Sequence, residues 1–82
     1  INDFVLYPNP NKGNFTVLFK SSYNTDIRIF VSDMMGKKVY DRKFKNTGDI
    51  NEIVQLANVI PGSYIVTVED GDRKGVSKII VN

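Results

Sequence analysis

Alternation of apolar and polar residues, interrupted at short intervals by proline, glycine and asparagine, constrains this chain more than any other feature. Every second residue is apolar from Phe15 to Phe19, and again from Ile27 to Val31. Side chains of a β-strand point alternately to opposite faces, so this period of two predicts strands buried on one face. No helical period of useful length accompanies it, and the chain is therefore predicted to be all-β.

The expected architecture is a seven-stranded antiparallel immunoglobulin-like β-sandwich. Strands of four to eight residues separated by turn residues are typical of that fold. The predicted strands are about Asp3–Tyr7, Asn14–Lys20, Ile27–Val31, Lys38–Lys45, Ile53–Leu56 and Tyr64–Glu69, followed by a last strand ending Lys78-Ile79-Ile80-Val81.

The inward-facing residues of these strands are predicted to form one core. In the last hairpin, an even-numbered loop after the sixth strand places Ile79 and Val81 on the core face. An odd loop with a bulge would place Val76 and Ile80 there instead, and the even loop is favoured. The predicted core includes Phe15, Val17, Ile29, Val31, Leu56, Tyr64, Val66 and Ile79.

The fourth strand has an ambiguous register. Val39 is interpreted as its inward residue, but Tyr40, Arg42 and Phe44 form a set of the opposite parity. Both sets contain side chains large enough to pack on a core, so the sequence alone leaves the facing of this strand open.

Composition excludes most catalytic chemistry. The 82 residues contain neither cysteine nor histidine, which removes disulfides, thiolate sites and histidine-based acid–base catalysis. The net charge is only +2, and the densest basic stretch, Lys37–Lys45, is interpreted as the solvated face of a strand rather than a nucleic-acid interface.

No apolar run reaches the roughly 18 residues of a membrane helix, so membrane insertion is not expected. Residues 1–82 are expected to be a single domain, a fragment of a larger secreted protein.

Two groups of side chains are weak candidates for ligand sites. Glu69, Asp70 and Asp72 offer oxygen atoms for a cation, but a solvated hairpin turn explains them better. Tyr23, Phe30 and Tyr40 could form a carbohydrate platform, although aromatic residues on sheets are more often core or cross-strand pairs. No catalytic, metal or cofactor residue is therefore predicted.

The turn residues themselves carry the most specific signal, through their order and spacing. Tyr7-Pro8-Asn9-Pro10 with Gly13 opens the chain, Asp33 and Gly36 bracket a central turn, Gly62 and Tyr64 begin the sixth strand, and Lys78-Ile79-Ile80-Val81 closes it. Together they resemble the C-terminal sorting domain of type IX secretion, also called the Por secretion tail family, over almost the whole chain.

The resemblance implies a non-catalytic sorting signal of a Bacteroidetes-type bacterium. Such a domain directs an N-terminal cargo in cis across the outer membrane and is then removed by a surface sortase. Its implied partners are the outer-membrane type IX translocon, shuttle proteins and the sortase. The implied location is periplasmic in transit, then cell surface or extracellular.

The residues expected to carry the sorting signal are those of the four motifs. If the final strand lies at a sheet edge, its unpaired backbone groups are a candidate recognition element. The alternative function is an immunoglobulin-like or carbohydrate-binding accessory module of an extracellular enzyme.

Overall fold

The computed structural model describes residues 4–82. Within that range the chain forms seven strands and no helix: β1 (Val5–Tyr7), β2 (Asn14–Lys20), β3 (Ile27–Asp33), β4 (Lys38–Phe44), β5 (Asp49–Gln55), β6 (Gly62–Asp70) and β7 (Arg73–Val81). The first strand is predicted to begin at Asp3, which lies outside the described residues.

The strands form two antiparallel sheets that pack face to face. The three-stranded sheet has the order β1-β2-β5, and the four-stranded sheet has the order β4-β3-β6-β7. The buried side chains of both sheets meet in one hydrophobic cluster, which contains Phe15 and Val17 from the first sheet and Ile29 and Val66 from the second. The predicted seven-stranded antiparallel immunoglobulin-like sandwich is confirmed.

The predicted core is confirmed except at one residue. Phe15, Val17, Ile29, Val31, Tyr64, Val66 and Ile79 are buried. Leu56 is only partly buried, because β5 ends at Gln55 and Leu56 follows it into the next loop.

The fifth strand starts earlier than predicted, at Asp49 rather than Ile53. Ile50, Glu52 and Val54 share its inward parity, and Ile50 joins the core. Because the middle inward position is the charged residue Glu52, the apolar–polar alternation of β5 is interrupted in the sequence. Glu52 is tolerated there because Arg42 on β4 approaches it, with Nη1 2.8 Å from Oε2. This ion pair joins the edges of the two sheets.

Val39 of the fourth strand packs against the core as predicted, and Tyr40 and Phe44, of the opposite parity, do so as well. Tyr40 pairs with Val31 and Phe44 pairs with Ile27, so these β4 residues lie on the core side. A register shift between Val31 and Ser32 places an extra residue on β4. This β-bulge lets Val39 pack against the core as well, which explains why both parities contain apolar residues.

The last hairpin has the predicted even loop. Asp70 pairs with Arg73, which leaves Gly71 and Asp72 as a two-residue connection. Ile79 and Val81 are therefore buried on the core face, as predicted.

Candidate recognition surface

The residues of all four sequence motifs lie at one end of the sandwich. In an antiparallel fold, the connections β1–β2, β3–β4 and β5–β6 and the end of β7 fall on the same side. The opening motif occupies the first connection, the central turn the second, and Gly62 the end of the third. We call this the motif end. The other three connections lie at the opposite end.

The opening motif lies directly against the last strand. The Asn9 side chain accepts a hydrogen bond from the Ile80 N–H (2.9 Å) and donates one to the Lys78 carbonyl (3.3 Å). The Asn11 N–H donates to the Ile80 carbonyl (2.9 Å), and the Asn82 N–H donates to the Asn11 carbonyl (2.7 Å). We call these four hydrogen bonds the clasp. It joins the first and last motifs, which are about 70 residues apart in sequence.

Asn11 takes part in the clasp but is not among the predicted motif residues. Its side chain accepts from the Gly13 N–H (2.8 Å) and donates to the Pro8 carbonyl (3.0 Å), and the residue is buried. These bonds hold the loop in the shape that presents its backbone to β7. Its position between Pro10 and Gly13 is the available signal, but that position by itself indicates only a turn.

Gly13 connects the opening motif to the β5–β6 loop. Its carbonyl accepts from the Leu56 N–H (2.8 Å), and its φ of +106° favours glycine. A Cβ atom at this position would lie 3.4 Å from Val59. That distance is an ordinary van der Waals contact, so the positive φ is the reason for glycine here.

Asp33 organises the central turn in the manner of an Asx-turn. Its carboxylate accepts from the backbone N–H groups of Met35 and Lys37, each at 2.9 Å. Met34 and Met35 at the tip are 63% and 94% exposed, so both side chains lie at the surface and neither covers the end of the core. The Gly36 N–H donates to the Asp33 carbonyl (3.1 Å).

The third motif contacts both of its neighbours. Tyr64 pairs with Asp33 on one side and with Ile79 on the other, while Gly62 pairs with Val81. The buried Tyr64 hydroxyl donates to the Ile60 carbonyl (2.6 Å), which fixes the loop before β6. A cleft of about 210 Å³ lies between this loop and the central turn, with Val39, Val59, Ile60 and Tyr64 among its lining residues.

The final strand is an edge strand, but only part of its edge is open. The clasp occupies the outward backbone groups of Ile80, the Lys78 carbonyl and the Asn82 N–H. Within residues 4–82, no strand is paired to the outer side of β7 before Lys78. The open segment is therefore the middle of β7 and not the end of the chain.

The weak ligand candidates do not assemble into a site. Asp70 is buried, whereas Glu69 lies on the outer face, 3.6 Å from Arg28. Within residues 4–82, no three carboxylates converge as metal ligands would. Phe30 lies on the outer face and Tyr40 on the core side, so the aromatic platform does not form.

The basic stretch around β4 forms ion pairs and cation–π contacts. Arg28 binds Asp41 through two hydrogen bonds (3.0 and 2.7 Å), and Lys38 reaches the same carboxylate at 3.2 Å. The hydrogen bonds from Arg28 hold the pKa of the Asp41 carboxyl well below its usual range. The Phe30 ring lies beneath the charged groups of Arg28 and Lys38, at 4.7 and 4.9 Å.

At the junction of the two sheets, burial raises the pKa of the Tyr40 phenol, and the nearby Glu52 carboxylate adds to this effect. Tyr40 therefore stays protonated and neutral at physiological pH. The phenol lies beside the Arg42–Glu52 ion pair at this edge.

Comparison with protein families decides the assignment. The model of the secretion system C-terminal sorting domain family matches residues 5–82. The chain belongs to this family. It is a sorting domain of type IX secretion, a class that is in general non-catalytic, and it implies export to the cell surface or the extracellular space.

A comparison with curated proteins found no match. Among the described residues of this sorting domain, no helix is long and apolar enough to span a membrane.

Proposed function

We propose that this domain is a folded, non-catalytic export label for an N-terminal cargo carried in the same chain. The cargo crosses the periplasm with the label attached. The outer-membrane translocon and its shuttle proteins recognise the folded label, and a surface sortase then removes it. In this scheme the domain is a substrate of the machinery and performs no chemistry itself.

One observation supports the proposal beyond family membership: the four motifs lie together at one end of the fold. The clasp ties the opening motif to the last strand, and Tyr64 ties the central turn to that strand. A receptor that binds the motif end can therefore distinguish a folded tail from an unfolded one. The motif residues come together only in the folded domain, so recognition of the motif end requires a folded domain rather than a linear peptide.

The test is transfer of export to an unrelated protein. Residues 1–82 are fused behind a periplasm-targeted reporter in a host with a type IX apparatus and in a matched host without one. We expect the reporter at the surface or in the medium only in the first host. The exported reporter should also be smaller than the fusion by the mass of the domain. Deletion of residues 78–82 removes the clasp's partners on β7, and we expect that reporter to remain in the periplasm.

Folding is measured in the same samples by resistance of the tail to protease. An intact fusion that stays in the periplasm of the competent host, with a folded and uncut tail, contradicts the proposal. Export of a reporter that keeps its tail contradicts only the sortase step.

A further inference from the structure

The outer face of the four-stranded sheet carries the chain's excess positive charge. Among the described residues, five cations and two carboxylates lie on this face, a net charge of +3, whereas the whole chain carries +2. The cations are Arg28, Lys38, Lys43, Lys74 and Lys78, and the carboxylates are Asp41 and Glu69. We call this surface the basic face.

The carboxylates of the basic face are already occupied. Asp41 binds Arg28 and Lys38, and Glu69 lies 3.6 Å from Arg28. Within residues 4–82, the ammonium groups of Lys43 and Lys78 have no hydrogen-bond or ion-pair partner. The face therefore retains positive charge that no acidic group of the described chain neutralises, and it is complementary to an acidic ligand.

The basic face borders the open segment of β7. In an antiparallel pair, backbone groups of alternate residues point to opposite sides of the strand. Because the Ile80 groups point outward to the clasp, the Val76 N–H and carbonyl also point outward, away from β6. The Val76 side chain is 57% exposed on the basic face, between Lys74 and Lys78.

We propose that Lys74–Lys78 of β7 bind a short extended segment of a protein partner, which adds as a fifth strand beside β7. The segment carries carboxylates opposite Lys74 and Lys78 and an apolar residue opposite Val76. That the partner belongs to the secretion apparatus rests on the proposed function. The strand addition itself rests on the open backbone groups and the charge of this face.

Two features favour a strand over an anionic lipid or polysaccharide. The open N–H and carbonyl of Val76 offer directional hydrogen bonds, which the backbone of an added strand completes in register. The clasp also closes the edge at Lys78, so the bound segment is roughly three to five residues long, as in a short edge strand. Opposite charges facing each other across two strands then fix its register.

The test uses the peptide Asp-Thr-Val-Thr-Asp, capped at both ends, and the isotope-labelled domain of residues 1–82. Binding is followed by nuclear magnetic resonance at millimolar peptide. We expect shifts centred on Lys74–Lys78 and slower hydrogen exchange of the Val76 N–H. The matched peptide with asparagine at both acidic positions should bind about tenfold more weakly. Vesicles of phosphatidylglycerol test the lipid alternative.

Two variants localise the site. Val76→Pro removes the outward N–H without breaking a ladder bond to β6, and we expect it to abolish peptide binding. Lys78→Glu keeps the strand intact and should weaken binding about tenfold. Lys45→Glu, an equal charge reversal in the exposed β4–β5 loop, is the control and should leave binding unchanged.

Equal binding of the asparagine peptide, shifts centred elsewhere, no shifts at all, or binding of vesicles in place of the peptide each overturns the inference. Comparing export of the unmodified and Lys78→Glu fusions distinguishes failure of the strand-addition inference from failure of the proposed function. If the unmodified fusion is not exported, the sorting function fails whatever the peptide does. If the unmodified and Lys78→Glu fusions are exported equally well, sorting stands and recognition at the open edge is wrong.

Discussion

The Asn9 side chain lies beside Ile80 as the backbone of a neighbouring strand would. Its Oδ1 atom accepts a hydrogen bond from the Ile80 N–H at 2.9 Å, and its Nδ2 atom donates to the carbonyl two residues earlier. One amide group therefore supplies both a donor and an acceptor, which is the pattern that a peptide group offers in a ladder. This contact explains why the opening motif places an asparagine between two prolines.

Replacing Asn9 by alanine removes both hydrogen bonds. We expect a loss of about 1 kcal/mol in the free energy of unfolding, because the contact is exposed and water replaces it. Urea unfolding measures the change, and hydrogen exchange of the Ile80 N–H should accelerate selectively. Asn9→Asp keeps the acceptor and loses the donor, so it should protect Ile80 better than alanine does. Unchanged exchange in both variants would show that the contact is not formed in solution.

The value of the core contacts is tested at Val66, which is fully buried in the four-stranded sheet. Val66→Ala should destabilise the domain by about 1–3 kcal/mol, from lost transfer free energy and the cavity left behind. The denaturant midpoint should fall while the slope stays constant. Val76→Ala, at an exposed position on the next strand, is the control and should change stability by only a few tenths of a kcal/mol. Similar effects at both positions would contradict the assigned faces.

The sequence predicts the fold well where strands are buried on one face only. Phe15, Val17 and Phe19 show this, since each faces the core and the residues between them do not. Prediction from the sequence fails where a tertiary contact allows a polar residue at an inward position. Glu52 faces inward because Arg42 approaches it from the other sheet, and that contact is invisible in the local pattern of β5.

The candidate surface was predictable only in part, for a similar reason. The motif residues can be read from the sequence, but the clasp depends on hydrogen bonds between Asn9, Asn11 and residues near Ile80. Contacts of such long sequence separation leave no periodic signal. The bulge at Val39 is also invisible in the local pattern, because it exists only in the pairing of β4 with β3.

Stability should depend on pH through Asp41. The Arg28 hydrogen bonds lower the pKa of this carboxyl in the folded state below its unfolded value of about 4. A depressed folded pKa contributes stability that is fully present above the unfolded pKa. It is lost as the pH falls from there through the folded pKa. The stability difference between the native domain and Asp41→Asn should therefore be constant from about pH 5 to 7, and shrink progressively below about pH 4.

Urea unfolding at several pH values measures this difference. Asp33→Asn is the comparison, because the Asp33 carboxylate accepts hydrogen bonds from backbone N–H groups. Added salt should reduce the Asp41 difference, because the pair is partly exposed to solvent. A difference that persists unchanged to about pH 2 would show that the ion pair does not contribute.

The last prediction separates folding from recognition at the central turn. Gly36 has a φ of +89°. Apart from Gly36 and its two chain neighbours, no described residue has an atom within 4 Å of the point that a Cβ would occupy, so a substitution there costs backbone strain and creates no clash. Gly36→Val should lower the melting temperature, and export should fall only in proportion to the unfolded fraction. Gly36→Asn, which tolerates positive φ better, should recover most of both. Melting and secretion are measured on the same fusions. A valine variant that remains fully folded but is not exported would show instead that the machinery contacts the turn directly.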